Sequence, residues 1–152
     1  MSYFFYDGET SIRLAEPSDL AMCVSLERLD EFGRTTELDA PIIEACIRVG
    51  GILLAEQRGR IVGYASLNFL YASRMPLLSW WYVAPEHRGR GLGSLLLCAV
   101  EQHLMKQGFE RFFISACREI EINRHRKHNL REIGCLDLGD NEKEVFFEKK
   151  LN

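Results

Sequence analysis

No apolar stretch in these 152 residues reaches the roughly 18 that a membrane-spanning helix needs. The N-terminus also lacks the basic-then-apolar order of a signal peptide. No Cys-x-x-Cys pair exists, and the five cysteines (Cys23, Cys46, Cys98, Cys117, Cys135) are odd in number and scattered. That excludes the spacing of a zinc or redox motif and fits reduced thiols in the cytoplasm. There is no excess of positive charge: 19 Lys and Arg stand against 22 Asp and Glu, a net charge of -3. A general nucleic-acid binder needs a basic surface to neutralise phosphates, so the balance argues against one. Repeats, low-complexity tracts and linkers are missing too, which leaves a single domain over residues 1–152 as the expectation.

What is present alternates short apolar runs with helical patterns. "TSIR" reads as a strand and "EPSDL" as the opening of a helix, with Pro17 and Ser18 suited to a first turn. Residues 30–40 read as a loop, and "PIIEACIRVG" as a second short helix ended by Gly50. Two apolar runs around Gly59 give a hairpin, and "PLLSWWYV" a further strand rich in β-favouring residues. Leu92, Leu95, Leu96, Ala99 and Leu104 share one helical face, with Gly108 as the stop. "RFFISAC" reads as a strand, residues 123–133 as a polar-faced helix, and "CLDL" with "EVFFEKKL" as a closing hairpin. The order predicts a mixed α/β fold, a mostly antiparallel sheet flanked by helices on both faces.

One stretch is unusual in composition: "VAPEHRGRGLGS", residues 83–94, with glycines at 89, 91 and 93 among Arg88 and Arg90. It lies between a strand and a helix, so its backbone offers the unpaired N–H groups of a helix N-terminus, where anions are favoured. Glycines let such a loop curl round a ligand, and arginines suit phosphate oxygens. A pyrophosphate is the natural occupant. A nucleotide P-loop is excluded because no Gly-Lys-Ser/Thr follows. A dinucleotide fingerprint fails as well: Gly89 and Gly91 are followed by Ser94, and Gly91 and Gly93 by Leu96, where a third glycine is required.

In Val83 and Pro85, then Arg88, Gly91 and Gly93, the stretch resembles the acyl-CoA loop of the GNAT superfamily, the GCN5-related N-acyltransferases. The order of strands and helices resembles that family over nearly the whole chain. The resemblance implies the GNAT acyl-CoA N-acyltransferase fold, with acetyl-CoA as co-substrate in a V-shaped gap between the fourth and fifth strands and no metal. It implies that the backbone of Tyr82 and Val83 pairs with the pantetheine arm. Amides of Arg88 or Gly89 onward, through Arg90, Gly91, Leu92, Gly93 and Ser94, surround the pyrophosphate, with the Ser94 hydroxyl as a further donor. Asn123 matches the asparagine at the start of the family's next helix, and Gly134 the glycine that ends it. The implied activity is transfer of an acetyl group from acetyl-CoA to a primary amine, by direct attack in a ternary complex. The acceptor is a small-molecule amine or an amine of a protein or peptide.

The family's usual acid and base are where this chain departs. Counting from Asn123 and back from Gly134, Leu130 stands where a tyrosine commonly serves the leaving thiolate, and no tyrosine follows Tyr82. On the strand that commonly carries a base, Leu77 and Ser79 occupy the matching positions; Ser79 is a candidate to hold a water. A lysine-like amine is roughly 99.9% protonated at pH 7, about 4–5 kcal/mol from its nucleophilic form. Glu31, in a loop with Asp30, Glu37 and Asp39, is a second candidate, as a proton relay. Solvated acidic residues are the plainer reading of that loop. Trp80 and Trp81 read as core or interface residues, or as the lining of an acceptor pocket.

Three weaker signals complete the reading. The basic run 124–128, "RHRKH", reads as a solvated helix face or a site for an acidic partner. His125 and His128 have metal-compatible i, i+3 spacing but no acidic residue suitably spaced. "YFFY" at residues 3–6 packs on its own domain or forms a homodimer contact. Two other functions stay open: a non-catalytic module that only binds CoA, and an interaction domain using the basic helix.

Overall fold

The structure, a computed structural model, describes residues 3–27, 39–73, 75–139 and 142–152. Its elements in chain order are β1 (Tyr3–Tyr6), β2 (Thr10–Leu14), α1 (Leu20–Glu27), α2 (Asp39–Arg48), β3 (Ile52–Gln57), β4 (Arg60–Phe69) and α3 (Leu70–Ser73). They continue with β5 (Met75–Val83), α4 (Leu92–Lys106), β6 (Arg111–Ala116), α5 (Glu119–Lys127), β7 (Arg131–Gly139) and β8 (Glu142–Lys150). This is the expected α/β class, with mostly antiparallel strand pairing flanked by helices; β5 and β6 pair in parallel. The chain divides into two compact units, Met1–Leu67 with Trp80–Gln102, and Asn68–Ser79 with His103–Asn152.

In the first unit the strand order is β1-β2-β3-β4-β5. The aromatic N-terminus is itself a strand, absent from the sequence expectation because "YFFY" carries no polar alternation. It pairs antiparallel with β2, and the rings of Tyr3 and Tyr6 stack. The Asp7 carboxylate turns this hairpin by accepting the N–H groups of Glu9 and Thr10, which hold it below the usual carboxylate range. Beside β2 and β3 lies a core of Ala15, Cys23, Ile43, Ile47, Leu54 and Tyr64, all buried. Each large aliphatic side chain among them contributes on the order of 1.5–3 kcal/mol on leaving water. A buried ion pair borders it: the Arg13 guanidinium donates to both oxygens of Asp19, at 2.7 and 3.1 Å, and to Glu56. The Asp19 hydrogen bonds raise the Arg13 pKa, and Arg13 lowers that of Asp19.

In the second unit the order is β5-β6-β8-β7. Phe112, Ile114 and Phe147 are buried, and the ring of His125 meets Phe147 edge-on, with centroids 5.4 Å apart. The helix expected over 123–133 is corrected here: α5 runs from Glu119 to Lys127. Asn129 takes a left-handed φ of 58°; its N–H bonds the Arg126 carbonyl, and the Leu130 N–H bonds that of His125. These paired bonds around a left-handed residue form a Schellman stop. Strand β7 begins at Arg131 and already contains Gly134, so Gly134 does not end the helix.

Candidate functional site: an anion cradle at the start of α4

Strand β5 leaves the first unit's sheet at Val83 and turns sharply. His87 N–H bonds the Ala84 carbonyl and Arg88 N–H that of Pro85, so residues 85–87 form one 3₁₀ turn. A side-chain contact ties the turn down: His87 Nδ1 lies 2.9 Å from the Gln57 oxygen at the end of β3. The Arg88 N–H is thus taken up within the turn. The run of N–H groups without an acceptor among the described residues starts at Gly89 and extends to Ser94. Gly89 and Gly91 have φ of +75° and +81°, a region L side chains rarely adopt, and the space where a Cβ would stand is open at both. The first intrahelical bond, Leu95 N–H to Gly91 carbonyl at 3.0 Å, makes Gly91 the N-cap. Leu92, Gly93 and Ser94 then supply the unpaired donors of the first turn, with the positive end of the helix dipole behind them.

The third glycine has another role from that expected. Gly93 does not curl the loop; it sits inside α4, and its carbonyl accepts the Trp81 indole N–H at 2.9 Å. A Cβ there would lie 3.7 Å from the Trp81 ring. Trp81 thus anchors the helix start to β5, a function its type and position gave no sign of. Leu92 is buried and contributes its backbone, whereas Arg90 and Ser94 are exposed. Arg88 folds back on β5: its Nε donates to the Val83 carbonyl at 2.7 Å, and its guanidinium carbon stands 5.6 Å from the centre of the Tyr82 ring. On the β4 side, a Cβ on Gly63 would come within 2.7 Å of the Tyr82 carbonyl oxygen.

A strand end, a 3₁₀ turn and six consecutive amide donors opening a helix suit a pyrophosphate rather than a single carboxylate. Residues 20–131 match the acetyltransferase (GNAT) family. The chain belongs to that family. It is 27% identical over 153 residues to an aminoglycoside N(6')-acetyltransferase type 1 of Stenotrophomonas maltophilia, covering 93% of this chain and 94% of that one. An amino-acid acetyltransferase of Pasteurella multocida is 26% identical over 90% of this chain, which spans only 30% of that protein's length. Among solved structures, yncA of Salmonella typhimurium with its cofactor acetyl-CoA superposes with a TM-score of 0.76 at 21% identity, covering 95% of each chain. That likeness is one of fold.

The other expected positions of this acetyltransferase fare differently. Asn123 lies in the middle of α5, not at its start, and its side-chain oxygen accepts from Arg126. Leu130, at the position of the family tyrosine by count, is buried and lies beyond the helix. Ser79 is exposed on β5, and its Oγ accepts a hydrogen bond from Asn68 Nδ2. Asp30, Glu31 and Glu37 lie outside the described residues, as does the side chain of Asp39. Trp80 is 38% exposed. Of the basic run, Arg126 bonds Glu132, and His125 turns inward. Burial first, then Arg124 and His128, push the His125 pKa down to about 4. A neutral, buried His125 does not present an outward metal-binding pair with His128. Among the described residues no group of three or more His, Cys, Asp or Glu is placed to hold a metal. None of their helices is long and apolar enough to cross a membrane.

Proposed function

We propose that this GNAT acetyltransferase moves an acetyl group from acetyl-CoA to a primary amine by direct attack in a ternary complex. The observation that carries the cofactor assignment is the row of N–H groups from Gly89 to Ser94 at the N-terminus of α4. Those donors hold the pyrophosphate, with the Ser94 hydroxyl and Arg90 at the same end of the helix. Tyr82 and Val83 pair through their backbone with the pantetheine arm. The Val83 carbonyl is free to do so although Arg88 donates to it, because a carbonyl oxygen has two lone pairs. Arg88 then fixes the direction of that carbonyl, so its contribution is to the pantetheine side as well as to charge. When bound, acetyl-CoA supplies a thioester whose carbonyl carbon accepts the amine lone pair while the thiol departs. The chain's part is to place the amine and to accept its N–H groups, which lowers the barrier through orientation and fixed dipoles. The acceptor is a small-molecule or peptide amine, with Ser79 and Glu31 the residues proposed to hold a water or relay its proton. None of the five cysteines forms a disulfide, which fits a cytoplasmic enzyme.

A second reading has one observation in its favour. Leu130, at the position of the family tyrosine by count, is buried outside α5 and no tyrosine follows Tyr82 in the sequence, which favours a module that binds CoA without turnover. Calorimetric titration with acetyl-CoA tests the cradle: the wild type binds, and Arg88→Glu, which puts a carboxylate beside the anion, does not. Absence of binding by the wild type overturns both readings. Thiol release in the presence of an amine then separates the enzyme from the module.

A further inference from the structure

The open donors of the cradle begin at Gly89, just past a turn that a single side chain ties to a neighbouring strand. Residues 85–87 close on themselves, His87 N–H on the Ala84 carbonyl and Arg88 N–H on that of Pro85, while Arg88 Nε returns to Val83 on the strand that enters the turn. Glu86, 3.9 Å from His87 Nε2, also keeps its contact within the turn. Among the described residues, the turn's one side-chain hydrogen bond to another strand is that of His87, whose Nδ1 lies 2.9 Å from Gln57 Oε1 at the end of β3. His87 is accordingly half-buried, whereas Pro85, Glu86 and Arg88 are exposed. Gln57 is held from its other end. Its Nε2 donates to Thr10 Oγ1 at 3.3 Å on the paired strand β2. Thr10 is buried, and its own N–H donates to the Asp7 carboxylate at 2.7 Å. A chain of polar groups thus runs from the β1–β2 turn through Thr10 and Gln57 to His87, all within the first unit.

A carboxamide donates at one end and accepts at the other, so Gln57 bridges a hydroxyl and an imidazole without bringing a charge towards an anion site. Its oxygen can only accept, so the hydrogen of that bond sits on His87 Nδ1. The residues that follow have no such hold. Gly89 and Gly91 take φ of +75° and +81° with open space where a Cβ would stand, and glycine gives up more conformational freedom on being fixed than any other residue. A ligand that orders such a loop bears that cost, and a tether at the start of the loop reduces it before the ligand arrives.

We propose that Gln57 and His87 are positioning residues for acetyl-CoA: Gln57 holds His87, and His87 holds the turn so that the N–H groups from Gly89 onward stand ready for the pyrophosphate. It rests on the cofactor reading proposed above. Affinity for the cofactor then depends on a glutamine of β3, well outside the glycine-rich stretch itself.

The test is calorimetric titration of the full chain with acetyl-CoA, with Tm measured on the same samples. Gln57→Leu and His87→Leu are each expected to weaken binding about fivefold, the scale of one neutral hydrogen bond. The double variant is expected to be little worse than either single one, because both remove the same bond. His87→Asn, whose carboxamide N–H can stand where Nδ1 stands, is expected to bind within twofold of wild type. A tie of stability alone serves as control. Arg58 donates to the Glu9 carboxylate beside the same strand ends without reaching the turn, so Arg58→Ala is expected to leave affinity unchanged. Both leucine variants within twofold of wild type overturn the proposal. So do losses that multiply in the double variant, a His87→Asn as weak as His87→Leu, or an Arg58→Ala loss as large as theirs. If Gln57→Leu does not fold, the contrast between His87→Leu and His87→Asn decides. A wild type that fails to bind acetyl-CoA overturns the cofactor reading instead.

Discussion

The loop before α4 and the connection after α5 are both junctions at helix ends rich in basic residues, and they treat their backbone in opposite ways. At 89–94 the N–H groups have no backbone acceptor among the described residues, in a turn where Gly89 and Gly91 take positive φ. At 128–130 every N–H is used: His128, Asn129 and Leu130 bond back to carbonyls of α5. The first junction leaves its donors open, as the proposed pyrophosphate site requires, and the second closes a helix. Charge alone does not separate them, since Arg88 and Arg90 flank one as Arg124, Arg126 and Lys127 flank the other. The availability of donors does.

The largest effect should come from closing the open junction. Gly91→Val puts a β-branched residue at φ +81°, and acetyl-CoA affinity is expected to fall about a hundredfold, since strain of this kind reaches roughly 1–3 kcal/mol before any ligand contact is lost. Gly139→Val, at a similar φ of +84° in β7, should cost stability and leave binding alone. Equal losses of binding from the two would break the comparison. Next in size, Leu130→Tyr is expected to lower Tm by about 2–8 °C without raising kcat, because the position is buried and overpacking costs roughly 1–3 kcal/mol. A gain in kcat would show that the second junction opens to the thiolate after all.

How far these regions could be read from sequence follows the same division. A turn that leaves its backbone donors unpaired requires glycine at particular places, and the positive φ of Gly89 and Gly91 falls on two of the three glycines of that stretch; the strands on either side were plain from their apolar runs. The second junction was misread because Asn123 and Gly134 were matched to a pattern by count. The sign that corrects it, Asn129 before Leu130, was present: asparagine tolerates the left-handed conformation that stops a helix. Strand β1 was missed because four aromatic residues in a row carry no alternation. Trp81 on Gly93 and Asn68 on Ser79 are long-range pairings that no local pattern encodes.

Two smaller effects sharpen the contrast. Arg88→Lys keeps the charge but loses the Nε bond to the Val83 carbonyl, and about a tenfold loss of acetyl-CoA affinity is expected, the scale of one charge-assisted bond. Arg126→Lys, at the closed junction, should leave that affinity unchanged. Last comes pH. Folded His125 stays neutral down to about pH 4, whereas its ordinary value is 6.5. Between those values the unfolded chain binds more protons, so stability should fall as pH is lowered from about 6.5 towards 4 and be unaffected by this group above that window. Thermal melts at pH 5 and pH 7, with His125→Gln showing a smaller difference than wild type, check it.

The Trp81 indole hydrogen-bonded to Gly93 gives the protein an optical reporter of its own. Indole emission responds to the electric field along the ring, and this ring donates its N–H to the first turn of α4, where an arriving anion changes that field. Only two tryptophans are present, so Trp80→Phe leaves a single emitter at the cradle. Cofactor arrival would then be visible in a stopped-flow cuvette on the millisecond scale, with neither a label nor a known acceptor.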